Sequence, residues 1–341
     1  MKQKKGSRRA AAYFLGGLLW VTAVCGLQTG VCAAETPEML VPVGHTVGLK
    51  LFSDGVMVVG LSEVETCSGS MTPGADCGLR IGDVIEEANG TEVESSEQFA
   101  ALLQCGGIVE LEVSRGGREI SMAARPALGA DGVYRLGAWI RDSMAGIGTV
   151  TFYDPCTGAF GALGHGVSDH DTGLLVPLHR GAVMDATVKT VKKGCAGEPG
   201  ELKGNFDLTR DMGEVYANTE TGVFGVIEPC DFLAGQPAIP VAKWSEVREG
   251  AAVIRSNVSG DAVEEYSIEI TKILSESGTQ NMLVQVTDQR LIEQTGGIVQ
   301  GMSGSPIVQN GKLVGAVTHV LVNDPTRGYG IFIENMLDAA G

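Results

Sequence analysis

Positive charge is scarce in this chain. Lysine and arginine number 25 against 41 aspartates and glutamates, and the formal charge is −16 over 341 residues. Five of the basic residues and no acid lie in the first 34 positions, so everything after them carries −21. A surface that acidic repels phosphate backbones and argues against nucleic acid as a partner. No Cys-x-x-Cys pair occurs, which removes the usual frame of a structural zinc site. Beyond the N-terminal segment, no run is apolar for long enough to span a bilayer. There is no internal repeat of roughly 20–50 residues and no low-complexity tract, which sets aside solenoids and fibrous arrays. Histidine is rare, with five in all.

Glycine is abundant, at 49 residues, and shows no collagen period. Spread among β-branched residues, it predicts short strands and tight turns in a mainly β chain. An apolar fraction of 44% argues against disorder, and the length suits one large domain or two ordinary ones.

The N-terminus reads as an export signal. Lys2, Lys4, Lys5, Arg8 and Arg9 precede an uncharged, mostly apolar run over residues 10–27. Cys32, Ala33 and Ala34 then supply small residues before Glu35. The run is long for a cleaved signal and just long enough to span a membrane, so residues 1–34 are a signal peptide or an N-terminal anchor. Neither Cys25 nor Cys32 has an aliphatic residue three positions upstream, as acylation would require. The six later cysteines, Cys67, Cys77, Cys105, Cys156, Cys195 and Cys230, permit up to three disulfides or serve as small buried apolar residues.

Residues 39–126 read as strand, turn, short helix, strand. The run 56–61 (VMVVGL) is a buried strand, and Asn89-Gly90 marks a tight turn. Ser95 or Ser96 caps a helix whose apolar residues Phe99, Leu102 and Leu103 have helical spacing. A strand over 108–113 and a hairpin at Arg115-Gly116-Gly117-Arg118 follow. The order PGADCGLRIGDVIEEANG, then SSEQF, then the hairpin resembles a PDZ domain of the bacterial protease-associated type. Such domains bind an extended peptide as an added strand, with a glycine-containing loop holding the terminal carboxylate. By that resemblance the peptide loop falls at Val47, Gly48, Leu49, Lys50 and Leu51, and its occupant is a peptide or the chain's own cleaved end. A spacer without a ligand is the plainer reading.

Residues 134–341 carry many short apolar runs broken by glycine, among them 147–153, 174–176, 223–227, 251–254, 282–286 and 313–322. They predict an all-β domain of two small barrels or one sandwich. Within it, Gly301-Met302-Ser303-Gly304-Ser305-Pro306 frames a serine with glycines. Small neighbours admit a substrate backbone and free the Gly301 and Ser303 N–H groups to form an oxyanion hole. The G-x-S-G-x-P pattern, shared by chymotrypsin-like proteases, selects Ser303 over Ser305. A plain glycine turn is the structural alternative. In Gly164-His165-Gly166 a histidine sits between glycines, where it has little packing value. Its imidazole suits the general base that a serine hydroxyl needs at neutral pH. Asp169-His170-Asp171 can be read as metal ligands but lacks a clear third ligand position, so no metal or other cofactor is expected. His319 reads as structural. Spacing alone does not choose the acid among Asp169, Asp171, Asp185, Asp207, Asp211 and Asp288.

Three stretches, over residues 136–173, 295–320 and 323–337, resemble the SpoIVB (stage IV sporulation protein B) peptidase family S55. They hold the GHG, GMSGSP and NDPTRGYG motifs. The resemblance implies a PDZ domain followed by a chymotrypsin-like double β-barrel serine peptidase domain. Position by position it implies a catalytic His165, Asp288 and Ser303. Asp288 lies only 15 residues before Ser303, in the half of the domain opposite His165, so Asp207 and Asp211 stand as substitutes. The resemblance further implies an exported enzyme working between the forespore and mother-cell membranes. There it would cleave a membrane-associated regulator, and itself, to trigger a late sigma factor. A non-catalytic PDZ scaffold that recruits a membrane partner is the competing expectation.

Overall fold

Alternation of apolar side chains, broken by glycine turns, builds two rings of strands and a small appended fold. The computed structural model describes residues 38–340, with the backbone alone for 207–209, and Glu38 begins one compact unit. The expected signal or anchor at 1–34 lies outside the described residues. Among the described residues no helix is long and apolar enough to cross a membrane. The six cysteines from Cys67 to Cys230 are free thiols.

The first ring joins six strands: Thr46–Leu61, Ala138–Tyr153, Ala159–Ala162, Gly222–Ile227, Glu201–Thr219 and Arg180–Lys192. It closes because Thr46–Leu61 pairs on one edge with Ala138–Tyr153 and on the other with Arg180–Lys192. Val47, Leu49 and Leu51 alternate into its core with Phe160, Val183 and Val215. The second ring is a closed barrel of Gly250–Ser256, Glu264–Ile273, Met282–Val286, Asp324–Phe332, Lys312–Leu321 and Pro306–Gln309. Ile254, Ile268, Met282, Ile307 and Phe332 fill it.

The PDZ fold is spliced into the first ring. The strands Thr46–Leu61 and Ala138–Tyr153 are each 16 residues long, and their far halves leave the ring to join it. Gly55 makes the switch, at φ +98° with the Ile85 carbonyl where a Cβ would sit. Beyond that kink Val56 and Val58 enter a separate core with Ile85, Phe99 and Leu111. A truncation of Phe99 to alanine there costs about 3–5 kcal/mol. The PDZ helix Ser96–Leu102 begins at Ser95, whose side chain accepts from the Gln98 N–H. Asn89-Gly90 turns with both φ values positive.

This arrangement corrects two expectations. Residues 46–52 pair within the first ring, and Leu136, Ala138 and Ile140 pack with the PDZ core, so the segments expected at 39–126 and 134–341 each lend residues to the other's unit. Val47, Gly48, Leu49, Lys50 and Leu51 are also not a peptide-binding loop. They form a strand paired on both edges, with Gly148 and Asp185 facing Val47, so their backbone groups are committed to the ring.

Candidate active site

His165 owes its position to backbone that most residues avoid. The strand Ala159–Ala162 ends in Leu163 at φ +70° and Gly164 at φ +68°. A left-handed leucine costs about 1–2 kcal/mol, and here the strain turns the chain sharply into the cleft between the rings. The His165 ring is half-buried, and its Nδ1 lies 2.8 Å from the Gly166 carbonyl. A carbonyl only accepts, so Nδ1 carries the proton and Nε2 keeps its lone pair. Burial pushes the imidazole below the ordinary histidine range, against the opposing pull of Gly166. The ring is therefore neutral at pH 7, as a general base must be.

Ser303 reaches the same cleft from the second barrel. The two residues line a space of about 440 Å³ whose walls are otherwise largely aliphatic, including Leu49, Ile147, Leu163, Ile298 and Val320. Ser303 Oγ donates to the Thr318 carbonyl at 2.7 Å. Gly301 turns at φ +97°. Neither its N–H nor that of Ser303 has a hydrogen-bond partner among the described residues, which leaves both amides free for an oxyanion.

The loop around Ser303 is fastened to the opposite ring by backbone and threonine bonds. Thr149 donates its N–H to Ser303 O at 3.1 Å and its hydroxyl to Gly301 O at 2.7 Å. Thr151 donates its hydroxyl to Gly304 O at 2.8 Å. Both threonines are fully buried, so these bonds are shielded from water. The alternation in Thr149-Val150-Thr151 hints at such a role only as two hydroxyls on one buried face.

Asp288 does not join the pair. It caps the helix Gln289–Thr295, accepts from the N–H groups of Arg290 and Ser267, and pairs with the Arg290 guanidinium. The Arg290 hydrogen bonds hold its carboxyl below the usual range. The His165 Nδ1 that a triad aspartate would meet is spent on Gly166. Asp211 is exposed on Glu201–Thr219, opposite Met184, and the Asp207 side chain lies outside the described ones. Asp169 is buried and bonded to Arg141, while His170 is 94% exposed. Arginine thus takes the place a metal would need in that motif, and no metal-binding cluster occurs among the described residues.

A second groove, of about 830 Å³, runs between the helix Ser96–Leu102 and residues 136–140. Phe99, Ala100 and Leu103 form one wall, and Trp139, 66% exposed, stands on the other side. Among the described residues, 138–141 pair only with Thr46–Leu61, which leaves the edge toward the helix open to an added strand. At the groove's end Gly137 turns at φ +68°. The N–H groups of Leu136 and Gly137 have no partner among the described residues. The signal for this loop is Arg135-Leu136-Gly137-Ala138, which lies after the PDZ strands in sequence.

Fold and cleft together define a serine peptidase that carries a PDZ domain. The chain belongs to the SpoIVB peptidase S55 family, whose family model matches residues 132–337. A PDZ domain model matches residues 69–115. The PDZ domain of the SdrC-like protein from Listeria monocytogenes is similar at 25% identity, over 26% of this chain and 87% of that one, with a TM-score of 0.21. The Rv3671c protease in its inactive form is similar at 12% identity, over 58% of this chain and 85% of that one, with a TM-score of 0.33. No curated protein matches the chain.

Proposed function

We propose that this peptidase is a serine endopeptidase in which Ser303 is the nucleophile and His165 its general base. The observation that carries the reading is the shared cleft: His165 from one ring and Ser303 from the other open on it beside the free amides of Gly301 and Ser303. Ser303 Oγ leaves Thr318 O and turns to His165 Nε2, which takes its proton as Oγ attacks the substrate carbonyl. The carbonyl oxygen, now negative, is held by the Gly301 and Ser303 N–H groups. His165 then returns the proton to the leaving amine, and water repeats the cycle on the acyl-enzyme. Gly166 O, bonded to Nδ1, stabilises the imidazolium formed on the way.

The substrate is a protein, and the groove beside residues 136–140 accepts an extended peptide end as an added strand. Likeness to the SpoIVB family supports the finer reading. The enzyme is exported, acts between the forespore and mother-cell membranes, and cleaves a membrane-associated regulator and its own N-terminal region. Labelling with a fluorophosphonate probe tests the chemistry. Wild type labels at Ser303, while Ser303→Ala and His165→Ala do not and accumulate uncleaved. Equal labelling of all three proteins would overturn the assignment.

A further inference from the structure

The cleft holds a second imidazole. The His319 ring packs against the His165 ring, with centroids 4.8 Å apart and planes tilted by 34°. Backbone irregularity puts it there. The strand Lys312–Leu321 slips register against Asp324–Phe332 between Val317 and His319. At that slip the Thr318 carbonyl meets Ser303 Oγ, and the next residue meets the base. Among the described residues that line the cleft, His165 and His319 are the only titratable side chains. On the neighbouring strand the register partner of His319 is Tyr329. Among the described residues, His165 therefore has no carboxylate beside it in the cleft and has a tilted imidazole ring packed against it.

We propose that His319 is the positioning residue for His165, filling with a neutral ring packed against it the role that a carboxylate fills in other serine peptidases. The inference rests on Ser303 and His165 being nucleophile and base. When His165 takes the serine proton, its positive charge forms against the His319 ring, and the attraction of that charge to the ring's π electrons, present only in the charged state, lowers the barrier. The same ring contact also holds the ring plane while Gly166 O holds Nδ1. The same closeness makes the pair sensitive to acid. A proton on His319 places a like charge beside the base and opposes the proton transfer. Partial burial and the neighbouring His165 both lower the His319 pKa, which keeps that ring neutral at neutral pH.

The test is the rate of fluorophosphonate labelling of the full chain between about pH 5 and 9, with thermal melts to show that each variant is folded. In wild type the logarithm of the rate falls on the acid side with a slope approaching two, one proton for each ring. His319→Phe keeps a flat ring that does not titrate, so it labels within about threefold of wild type at pH 8, with a slope of one. His319→Ala labels about tenfold more slowly at pH 8, also with a slope of one. A wild-type slope of one with His319→Ala at the wild-type rate would overturn the role, and so would His319→Phe as slow as His319→Ala. Wild type unlabelled at Ser303, or His165→Ala labelled as fast as wild type, would overturn the nucleophile and base assignment and the role of His319 with it.

Discussion

Thr149 grips Ser303 from the opposite barrel: its N–H donates to the Ser303 carbonyl at 3.1 Å, while its hydroxyl donates to Gly301 O at 2.7 Å. The two carbonyls it fixes belong to the two residues whose N–H groups are the proposed oxyanion hole. One buried residue, through its backbone N–H and its hydroxyl, thus ties the loop to the opposite barrel and helps to aim those amides. Thr149→Val keeps the shape and loses the hydroxyl, leaving Gly301 O without its donor. It should cost about 1–3 kcal/mol in a thermal or urea melt. It should also slow fluorophosphonate labelling by about tenfold to a hundredfold, because the amides are no longer held in place. Labelling at the wild-type rate would show that the loop holds its own geometry.

Gly304 admits no side chain. A Cβ there would lie 2.1 Å from the Thr149 carbonyl and 2.5 Å from the Leu163 N–H nitrogen, with φ at +95°. The neighbours are backbone and do not yield. Gly304→Ala is expected to destabilise the protein by about 2 kcal/mol or more and to separate Ser303 from His165. A melt within about 0.5 kcal/mol of wild type would contradict the close approach of the two loops.

Asp288 offers a contrast between a capping role and a catalytic one. As the cap of Gln289–Thr295 and partner of Arg290, its replacement by alanine should cost about 0.5–2 kcal/mol of stability. Any loss of labelling should track the loss of folded protein, and the acid limb of the pH profile should stay where it is in wild type. An aspartate that orients the base would instead reduce turnover by about ten-thousandfold in a protein that remains folded. Melts and pH–rate profiles on the same Asp288→Asn and Asp288→Ala samples separate the two.

His45 predicts acid sensitivity of the fold. It is 3% exposed, stacks on Phe232 at 4.2 Å, and neither ring nitrogen has a hydrogen-bond partner among the described residues. Asp185 stands 3.6 Å from Nε2, beyond hydrogen-bond reach, and Asp261 also lends some negative potential. Burial outweighs both and lowers the pKa from 6.5. The unfolded chain therefore binds this proton before the native one does. Stability is fully present above about pH 6.5 and declines as pH falls from there toward the lowered native value. His45→Phe, with a ring of similar size, should flatten that decline in urea melts taken between about pH 5 and 8. An unchanged slope would assign the acid sensitivity to other groups.

Local features of the fold are legible in the sequence because they depend on nearby residues. Asn89-Gly90 and Asn310-Gly311 both turn with positive φ, as their side chains favour, and Ser95 caps its helix. The Met282–Val286 strand likewise follows from β-branched alternation. Partnership between distant segments is not legible. Val47, Leu49 and Leu51 alternate equally well in a PDZ edge or in a barrel strand. Only pairing with residues about 100 and 135 positions away decides between them. For the same reason the groove proposed for a peptide falls after the PDZ strands in sequence, beside Leu136 and Gly137. In the site, the glycine frames of His165 and Ser303 are readable, since glycine there answers a backbone requirement. Thr149 and His319 are not, because an ordinary threonine and a strand histidine gain meaning only from what faces them.

The most direct measurement is a crystal structure of the enzyme after reaction with a fluorophosphonate. The account predicts phosphorus bonded to Ser303 Oγ, the phosphoryl oxygen about 2.7–3.1 Å from the Gly301 and Ser303 nitrogens, and His165 Nε2 within hydrogen-bond reach of Oγ. Phosphorus on another residue, or a phosphoryl oxygen pointing away from those two amides with the imidazole out of reach, would contradict it.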